Sequence, residues 1–435
     1  MRTKVLRVVE GMKTFLHQAL DNREKYLTKQ TAFIRNRVLN FSTVCLFLIN
    51  QPKRSLSIEL DDFFLTLGEF ACTKAAFSKA RYQIAPVFFK DWSRHFISLV
   101  YAAPTKLPTW KGFYLKGVDG TTVYLFKDEE LAKEFGSQQN QHVSIPMARA
   151  GYEVDLLNGY CTQAYLGPLH KGEQVFAYEF LENASCKDLL VYDRYFASFE
   201  LIFKHLQKGV PFVMRCTLDF NLTVSAFVKG KKRQQIVEFA IPDNALRSLR
   251  QQGFEVDKNT TVQVRLLRID IGLPEPEILI TSLLCARRYL HKEFKELYGK
   301  RWGSETEFDK VKNKLQMEIF CGHKPAAIYQ DFFATVIAVN LHNLIVRTCD
   351  EDLKQANEKR LVPRAINQNV SIGLLKDRLV ILFVSEKPQI IMEELRRLFL
   401  SHLEPVRPGR KFPRTKTIRR LNGKYQTFKN YRRAI

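Results

Sequence analysis

The sequence lacks the features that would mark a zinc-binding, secreted or membrane protein. Its eight cysteines are scattered with no CxxC pair, which predicts reduced thiols in a cytoplasm and no zinc site. Residues 1–20 mix Arg, Lys and Glu with apolar residues and lack the continuous apolar core of a signal peptide. The apolar stretches 44–49 and 332–346 are too short to span a bilayer. We therefore expect a cytoplasmic protein with no membrane partner.

Negative charge is also scarce, because 45 Asp and Glu residues face 68 Lys and Arg residues and leave a formal net charge of +23. An excess of this size favours a polyanionic partner, most often nucleic acid. An anionic membrane surface is the competing interpretation, but no segment of the sequence fits it. With 46% hydrophobic residues in a chain of 435, we expect a folded protein of two or three domains.

Residues 1–103 have apolar positions at three- and four-residue spacing, which predicts a helical domain. Thr73 is expected to cap a helix whose basic face is formed by Lys74, Lys79 and Arg81. Such a helix suits a DNA groove, but basic amphipathic helices are also common on ordinary protein surfaces. On this pattern alone both interpretations stay open.

The periodicity then changes, which predicts an α/β core in two parts, 104–215 and 290–348, interrupted by a β-rich insertion at 216–289. The first part has the element order of an RNase H-like fold: strand 113–119, hairpin 151–166, helix 173–184, strand 188–193, helix 196–208 and strand 211–215. Asp119 is expected to end the first strand at a turn. Asp193 is expected to end a strand that this fold places beside it.

A C-terminal segment, 349–435, is predicted after the core. Its last part contains no acid, and its basic residues are Arg407, Arg410, Lys411, Arg414, Lys416, Arg419, Arg420, Lys424, Lys429, Arg432 and Arg433. A cationic end of this kind is commonly a solvated segment that raises DNA affinity through charge. The interleaved Tyr425, Phe428 and Tyr431 favour docking on DNA or on a partner subunit instead.

Four polar residues recur at helical spacing in the second part of the core. Arg301, Glu305 and Lys312 lie three, seven and fourteen residues after Tyr298, and offsets of this size return to nearly the same side of an α-helix. A solvated helix with ordinary charge pairs is the alternative. Gly299 is a poor helix former, so the helix could start after it. Glu305 and Lys312 would then still share one face, but Tyr298 and Arg301 would not belong to it.

The pattern Y-x2-R-x3-E-x6-K resembles the signature of bacterial insertion-sequence transposases, the fourth insertion-sequence family with its DDE catalytic domain. Asp119, Asp193 and Glu305 would then be the catalytic acids and the ligands of two Mg²⁺ ions, with Mn²⁺ able to substitute. Two such ions stabilise charge on the attacking and leaving oxygens of a phosphodiester, and Mg²⁺ takes hard oxygen ligands. The resemblance also implies that Tyr298, Arg301 and Lys312 contact DNA phosphates next to the cut.

Arg194 and Arg215, which follow the second acid and end the next strand, are further predicted phosphate contacts. Together these residues predict a cut-and-paste DNA transposase with an RNase H-like core, a β-rich insertion and a helical domain that binds element ends. The expected partners are double-stranded terminal inverted repeats and target DNA, and the expected assembly on DNA is a homodimer, in a bacterial cytoplasm on the nucleoid. An RNase H-like nuclease without strand transfer and a non-catalytic DNA-binding protein derived from a transposase are the alternatives.

Overall fold

The computed structural model describes residues 2–35, 38–50, 54–103, 106–139, 144–271, 275–301 and 318–406. Its α-helices are α1 (Arg2–Gln18), α2 (Arg23–Tyr26), α3 (Phe41–Asn50), α4 (Leu56–Leu67), α5 (Lys74–Arg81), α6 (Val87–Ala102), α7 (Glu129–Phe135), α8 (Glu173–Asn183), α9 (Phe199–Lys208), α10 (Leu222–Lys229), α11 (Asp243–Gln251), α12 (Glu293–Gly299), α13 (Pro325–Val346), α14 (Asp350–Glu358), α15 (Gln368–Val384) and α16 (Pro388–Ser401). Its strands are β1 (Tyr114–Tyr124), β2 (Ser137–Gln139), β3 (Ser144–Asp155), β4 (Cys161–Pro168), β5 (Asp188–Tyr192), β6 (Phe212–Cys216), β7 (Gln234–Ala240), β8 (Thr261–Ile269), β9 (Glu277–Thr281), β10 (Arg364–Ile366) and β11 (Leu403–Pro405).

The strands β1–β9 form one sheet in the order β2-β3-β1-β5-β6-β9-β8-β7, with β4 paired to β3. The strands β1, β3 and β4 are antiparallel neighbours, whereas β5 and β6 run parallel to β1. This order of antiparallel and parallel strands is that of the RNase H-like fold, so the predicted fold class is confirmed. The Asn158-Gly159 turn between β3 and β4 forms as expected, with Gly159 at φ 72°, a conformation that glycine adopts without steric cost.

Successive residues of a strand point to opposite faces of the sheet, and the two faces are buried under different helices. One face is buried with α8, α9 and α11 in an apolar cluster that includes Val118, Leu190, Tyr192, Phe212 and Met214. The other face is buried with α12 in a cluster that includes Leu115, Leu189, Val191 and Val213. Asp119 and Asp193 lie an even number of residues after Leu115 and Val191, so their side chains point to the same face, the one that α12 covers.

The N-terminal helices pack at the β3–β4 end of the sheet, around α13. By length and composition α13 could cross a membrane, but 89% of its most apolar window is buried inside the protein. Its polar residues are also used internally, since the Asn340 side chain accepts a hydrogen bond from the Cys161 N–H at 2.8 Å and donates one to the Cys161 carbonyl at 2.9 Å. The helix therefore acts as the central core element that joins the N-terminal helices to the sheet.

The structure corrects the prediction that Asp119 ends a strand at a turn. Strand β1 continues to Tyr124, and Gly120 pairs with Gly151 of β3. A Cβ atom at Gly120 would lie 2.9 Å from the Phe176 Cζ atom of α8, and one at Gly151 would lie 2.5 Å from the same ring. The glycine after Asp119 is thus required for the close packing of α8 on the sheet, which the sequence pattern did not distinguish from a turn.

The insertion is less uniformly β than predicted. Residues 216–289 contain α10 and α11 as well as β7, β8 and β9. Strand β9 pairs antiparallel with β6, and β8 and β7 follow it, so the inserted strands widen the core sheet. This placement brings the loops of the insertion to the same edge of the sheet as Asp193.

Candidate active site

Asp119 and Asp193 lie side by side at two central parallel strands. The parallel register pairs Val118 of β1 with Tyr192, the last residue of β5. Asp119 is the next residue of β1, and Asp193 directly follows the end of β5. The backbone N–H of Gly120 donates to Asp119 Oδ1 at 2.9 Å, and the N–H of Tyr195 donates to Asp193 Oδ1 at 2.8 Å. Both side chains are half-buried, so the two carboxylates are oriented by backbone donors at one edge of the sheet and remain accessible.

Helix α12 brings Tyr298 and Arg301 over this edge. The apolar side of α12 anchors it, since Phe294 and Leu297 are fully buried in the cluster beneath the helix. The helix ends at Gly299, and the Arg301 N–H donates to the Tyr298 carbonyl at 3.0 Å in the following turn. Arg301 Nη1 lies 3.8 Å from Asp119 Oδ2, with the Arg301 side chain only 8% exposed. The sequence-predicted neighbours Tyr298, Arg301 and Asp119 are therefore brought together.

The Tyr298 hydroxyl is the buried polar group at the centre of this arrangement. Burial raises the pKa of Tyr298, Arg301 opposes the rise, and the Glu277 and Asp193 carboxylates add to it. Among the residues that the structure describes, the hydroxyl has no hydrogen-bond partner. A buried, protonated phenol close enough to Asp193 to be influenced by its charge is able to donate to an incoming phosphate oxygen.

The two further predicted phosphate contacts lie at the same edge. Arg215 is the last residue but one of β6, and it pairs with Glu277 of β9 at 2.8 Å while remaining 35% exposed. Arg194 is exposed, and its guanidinium lies over the Tyr195 ring at 5.2 Å. Both arginines line one cavity of about 610 Å³ beside Asp193. Their positions leave the prediction that they contact phosphate open to test.

Sequence reasoning missed a third carboxylate near the aspartates. Glu173 begins α8 and pairs with Arg149 of β3 at 3.2 Å. Burial raises its pKa, Arg149 opposes the rise, and Asp193 adds to it. Glu173 precedes Asp193 by twenty residues and matches no motif, so only the packing of α8 across Gly120 reveals it. The Arg149–Glu173 ion pair therefore lies behind the candidate site, on the face of the sheet that α8 covers.

The N-terminal basic helix is formed as predicted at its start, where Thr73 accepts a hydrogen bond from the Ala76 N–H at 3.2 Å. Lys74 and Lys79 are exposed. The prediction that Arg81 joins them on a DNA-facing surface is wrong, because its side chain is 1% exposed and pairs with buried Asp331 at 2.8 Å. Arg81 also donates to the Gln330 side chain at 2.9 Å, so it holds α5 against α13.

The described residues fit a metal site in part. Asp119 and Asp193 supply carboxylate oxygens, the hard donors that Mg²⁺ takes, on neighbouring strands. Within the described ranges no group of three or more His, Cys, Asp and Glu side chains is arranged to hold a metal ion. The predicted third ligand Glu305 lies outside the described residues, as does Lys312, since both belong to 302–317. The two aspartates are therefore the part of the predicted ligand set that the structure positions.

Comparison with known proteins identifies the family of this chain. The family model of a transposase DDE domain matches residues 117–341, more than half of the chain, and this range contains Asp119, Asp193 and the Tyr298 to Lys312 signature. A search of curated proteins finds no match. The chain is similar to the cryo-EM structure of a piggyBac transposase synaptic complex with hairpin DNA, with a TM-score of 0.41 and 10% sequence identity, covering 96% of this chain and 87% of that chain. Through the match over residues 117–341, the chain belongs to the transposase DDE domain family.

Proposed function

We propose that the chain is a cut-and-paste DNA transposase, which binds the inverted repeats at the ends of a bacterial insertion sequence and cleaves them by metal-dependent hydrolysis. The released 3′-hydroxyls then attack target DNA. The observation that carries this proposal is the placement of Asp119 and Asp193 on adjacent parallel strands beneath Tyr298 and Arg301. Asp119, Asp193 and Glu305 would hold two Mg²⁺ ions, which when bound supply charge stabilisation at the attacking and leaving oxygens.

The protein's own groups contribute binding and orientation. Arg301 is held by burial and by Asp119, so its guanidinium is pre-organised to contact a phosphate beside the carboxylates. Tyr298 keeps its proton because burial raises its pKa, and its hydroxyl is available as a donor. Fixed donors at the position where charge develops stabilise the transition state without reorganisation. Lys312, the exposed Arg194 and the half-buried Arg215 would add phosphate contacts.

The exposed Lys74 and Lys79 of α5 would contact the element end. Arg81 and Asp331 tie this helix to α13, which begins shortly after the signature segment. A DNA end held by α5 would therefore be placed in a defined position relative to Asp119 and Asp193. Because each end needs its own active site, we propose that two subunits pair on DNA as a homodimer.

The test uses the purified chain, its own flanking DNA and Mg²⁺, with end cleavage and joined products measured separately. Asp119→Ala, Asp193→Ala and Glu305→Ala should each lower cleavage at least about a thousandfold, since metal assistance supplies several kcal/mol of transition-state stabilisation. DNA binding should stay largely intact. Near-normal cleavage by any one variant would remove that residue from the ligand set.

Asp219→Ala is the matched control, because Asp219 is an exposed acid at the same edge of the sheet, beside Arg215. It makes the same change of charge and should cleave at the wild-type rate. Cleavage without joined products would favour a nuclease over a transposase. Binding of ends with neither product would favour a non-catalytic DNA-binding protein.

A further inference from the structure

A second cavity, of about 590 Å³, lies where the insertion meets α12. Arg233 lines it from just before β7, and Arg268 lines it from β8. His291, Lys292 and Lys295 line it from α12 and the turn before it, with Asp270 as the one carboxylate. Four cationic side chains against one carboxylate make the cavity suited to a polyanion.

Three of these cations are exposed and form no close ion pair within the described ranges: Arg233, Lys292 and Lys295. Lys292 interacts through charge with the adjacent Glu293, but the close ion pair of Glu293 is with Lys111 at 2.8 Å. Arg268 has a different role, because its Nη2 donates to the carbonyls of Phe227 and Gly230, each at 2.8 Å, at the end of α10. The other three side chains therefore supply the charge that a ligand would meet.

The cavity lies along the same edge of the sheet as the catalytic aspartates. The antiparallel register pairs Cys216 at the end of β6 with Ile278 at the start of β9, so the β8–β9 turn lies at the edge that carries Asp193. Pro276 of this turn lines both the basic cavity and the cavity that contains Arg194 and Arg215. The two cavities are therefore neighbours. A DNA strand that runs from the aspartates past Arg194 and Arg215 would reach the basic cavity next.

Helix α5 lies in the opposite direction along this edge. Arg81 ties it to Asp331, and the Asp331 carboxylate also accepts from the Cys321 N–H at 2.7 Å. The neighbouring residue Glu318 accepts from the N–H of Tyr124, the last residue of β1, at 3.2 Å. In the sheet order β1 and β5 carry the aspartates, and β8 and β7 lie on the side of the basic cavity. On the other side α13, to which α5 is tied, packs on β4 beside β3.

We propose that the basic cavity binds the phosphodiester backbone of DNA on the far side of the cleaved phosphate, opposite to the element end held by α5. Arg233, Lys292 and Lys295 are the phosphate ligands. The site thus holds flanking DNA before cleavage. This inference rests on the proposed function, since it places the scissile phosphate at Asp119 and Asp193.

The test compares two duplexes, both carrying the element's terminal repeat. One ends at the scissile phosphate, and the other continues two helical turns, about 20 base pairs, into flanking DNA. Binding is measured without divalent metal, so that no cleavage occurs, over a series of salt concentrations. The variant combines Arg233→Gln, Lys292→Gln and Lys295→Gln. The matched control combines Lys354→Gln, Lys359→Gln and Arg360→Gln, which removes the same charge from exposed positions at α14.

The wild type should bind the continued duplex at least about tenfold more tightly than the shorter one, through added phosphate contacts. The variant should bind both duplexes equally, with the wild-type affinity for the shorter one. Each phosphate contact contributes about 0.9 to the slope of log Kd against log salt. The slope for the continued duplex should therefore fall by about 2.7 in the variant and not in the control.

Equal losses on both duplexes, or an unchanged difference between them, would overturn the proposal, as would a control variant that behaves like the variant. Failure of the proposed function is separate and visible in the wild type, as absence of end cleavage with Mg²⁺. The binding comparison needs no metal, so a protein that cleaves its ends can still refute the flanking-DNA site.

Discussion

His205 shows, at the scale of one residue, how burial sets a side chain's protonation beside the site. It lies on α9, fully buried, and its Nδ1–H donates to the Val210 carbonyl at 2.8 Å. The Tyr192 hydroxyl therefore donates to Nε2 at 2.9 Å. This bond fixes the side chain of Tyr192, the residue directly before Asp193. Burial lowers the pKa of His205 to about 4, although the bond to Val210 opposes the shift.

This gives a prediction for the pH dependence of stability. The unfolded chain protonates His205 near pH 6.5, whereas the folded protein keeps it neutral down to about pH 4. Its contribution is complete above pH 6.5 and is lost as the pH falls toward 4, because the unfolded state binds more protons in that window. Over this window the wild type should lose about 3 kcal/mol more unfolding free energy than His205→Gln. Urea unfolding at several pH values measures this.

The exposed His170→Gln provides a control for replacing a histidine by glutamine. It should follow the wild type through the acid range. If His205→Gln has the same pH profile as the wild type, the imidazole is not held neutral in the folded state, and its bonds to Tyr192 and Val210 do not define its tautomer.

Helix α5 illustrates the element scale, because its cations have different roles on its two sides. Lys74 and Lys79 face solvent, whereas Arg81 is buried against α13. The Gln330 side chain strengthens the attachment by donating to the carbonyls of Arg81 at 3.0 Å and Ile84 at 2.7 Å. One short helix thus presents a basic surface and fixes its own position relative to the core.

Substitutions on the two sides should therefore separate stability from DNA binding. Arg81→Met leaves the Asp331 carboxylate buried without its cation, and loss of one partner of a buried pair costs about 3–5 kcal/mol. Lys79→Gln should change stability by less than about 0.5 kcal/mol, as is usual at exposed positions, and should weaken binding to element ends. Denaturant unfolding and binding to repeat and scrambled duplexes measure the two effects.

The opposite pattern would show that the roles are misassigned. An Arg81→Met protein of wild-type stability would mean that the Asp331 pair contributes nothing. If Lys79→Gln weakened binding to the repeat and scrambled duplexes equally, α5 would contact phosphates only and would not distinguish the element ends from other DNA.

At the scale of the whole molecule, the unequal distribution of charge is the dominant property. Eleven basic residues and no acid lie in 407–435, nearly half of the formal excess of 23. Four further cations line the cavity between the insertion and α12. Attraction of this kind raises the affinity for all DNA and makes it strongly dependent on salt.

Removing 407–435 should therefore weaken DNA binding and flatten its salt dependence. The interleaved aromatics lead us to expect a second effect, loss of the paired-end complex even at low salt. The variant Tyr425→Ser, Phe428→Ser, Tyr431→Ser separates the two, because it keeps every charge. It should lose pairing and retain the salt slope, as measured by gel mobility and light scattering. If this variant still forms the paired-end complex, residues 407–435 contribute only charge to DNA binding.

The sequence by itself determined many of the core elements and the kind of chemistry. The continuous apolar run in the predicted strand 188–193 indicates burial on both faces, and β5 is fully buried. The Asn158-Gly159 turn and the Thr73 cap were predicted from local residue preferences, and both are formed. The charge excess indicated a polyanionic partner such as DNA, and the resemblance to a transposase signature implied a phosphate-contacting role for Tyr298 and Arg301. Such features depend on near neighbours along the chain, so a linear pattern carries them.

Only the tertiary structure decided which polar groups meet. Arg81 and Asp331 are 250 residues apart in the sequence, and nothing local distinguishes Arg81 from the exposed Lys79. Glu173 approaches Asp193 because α8 packs across Gly120, where a side chain would collide with it. The basic cavity forms because β9 pairs with β6 and carries the insertion to the edge of the sheet at Asp193. The energy of a charge depends on its surroundings in space, and those surroundings are set by packing between segments distant in the sequence.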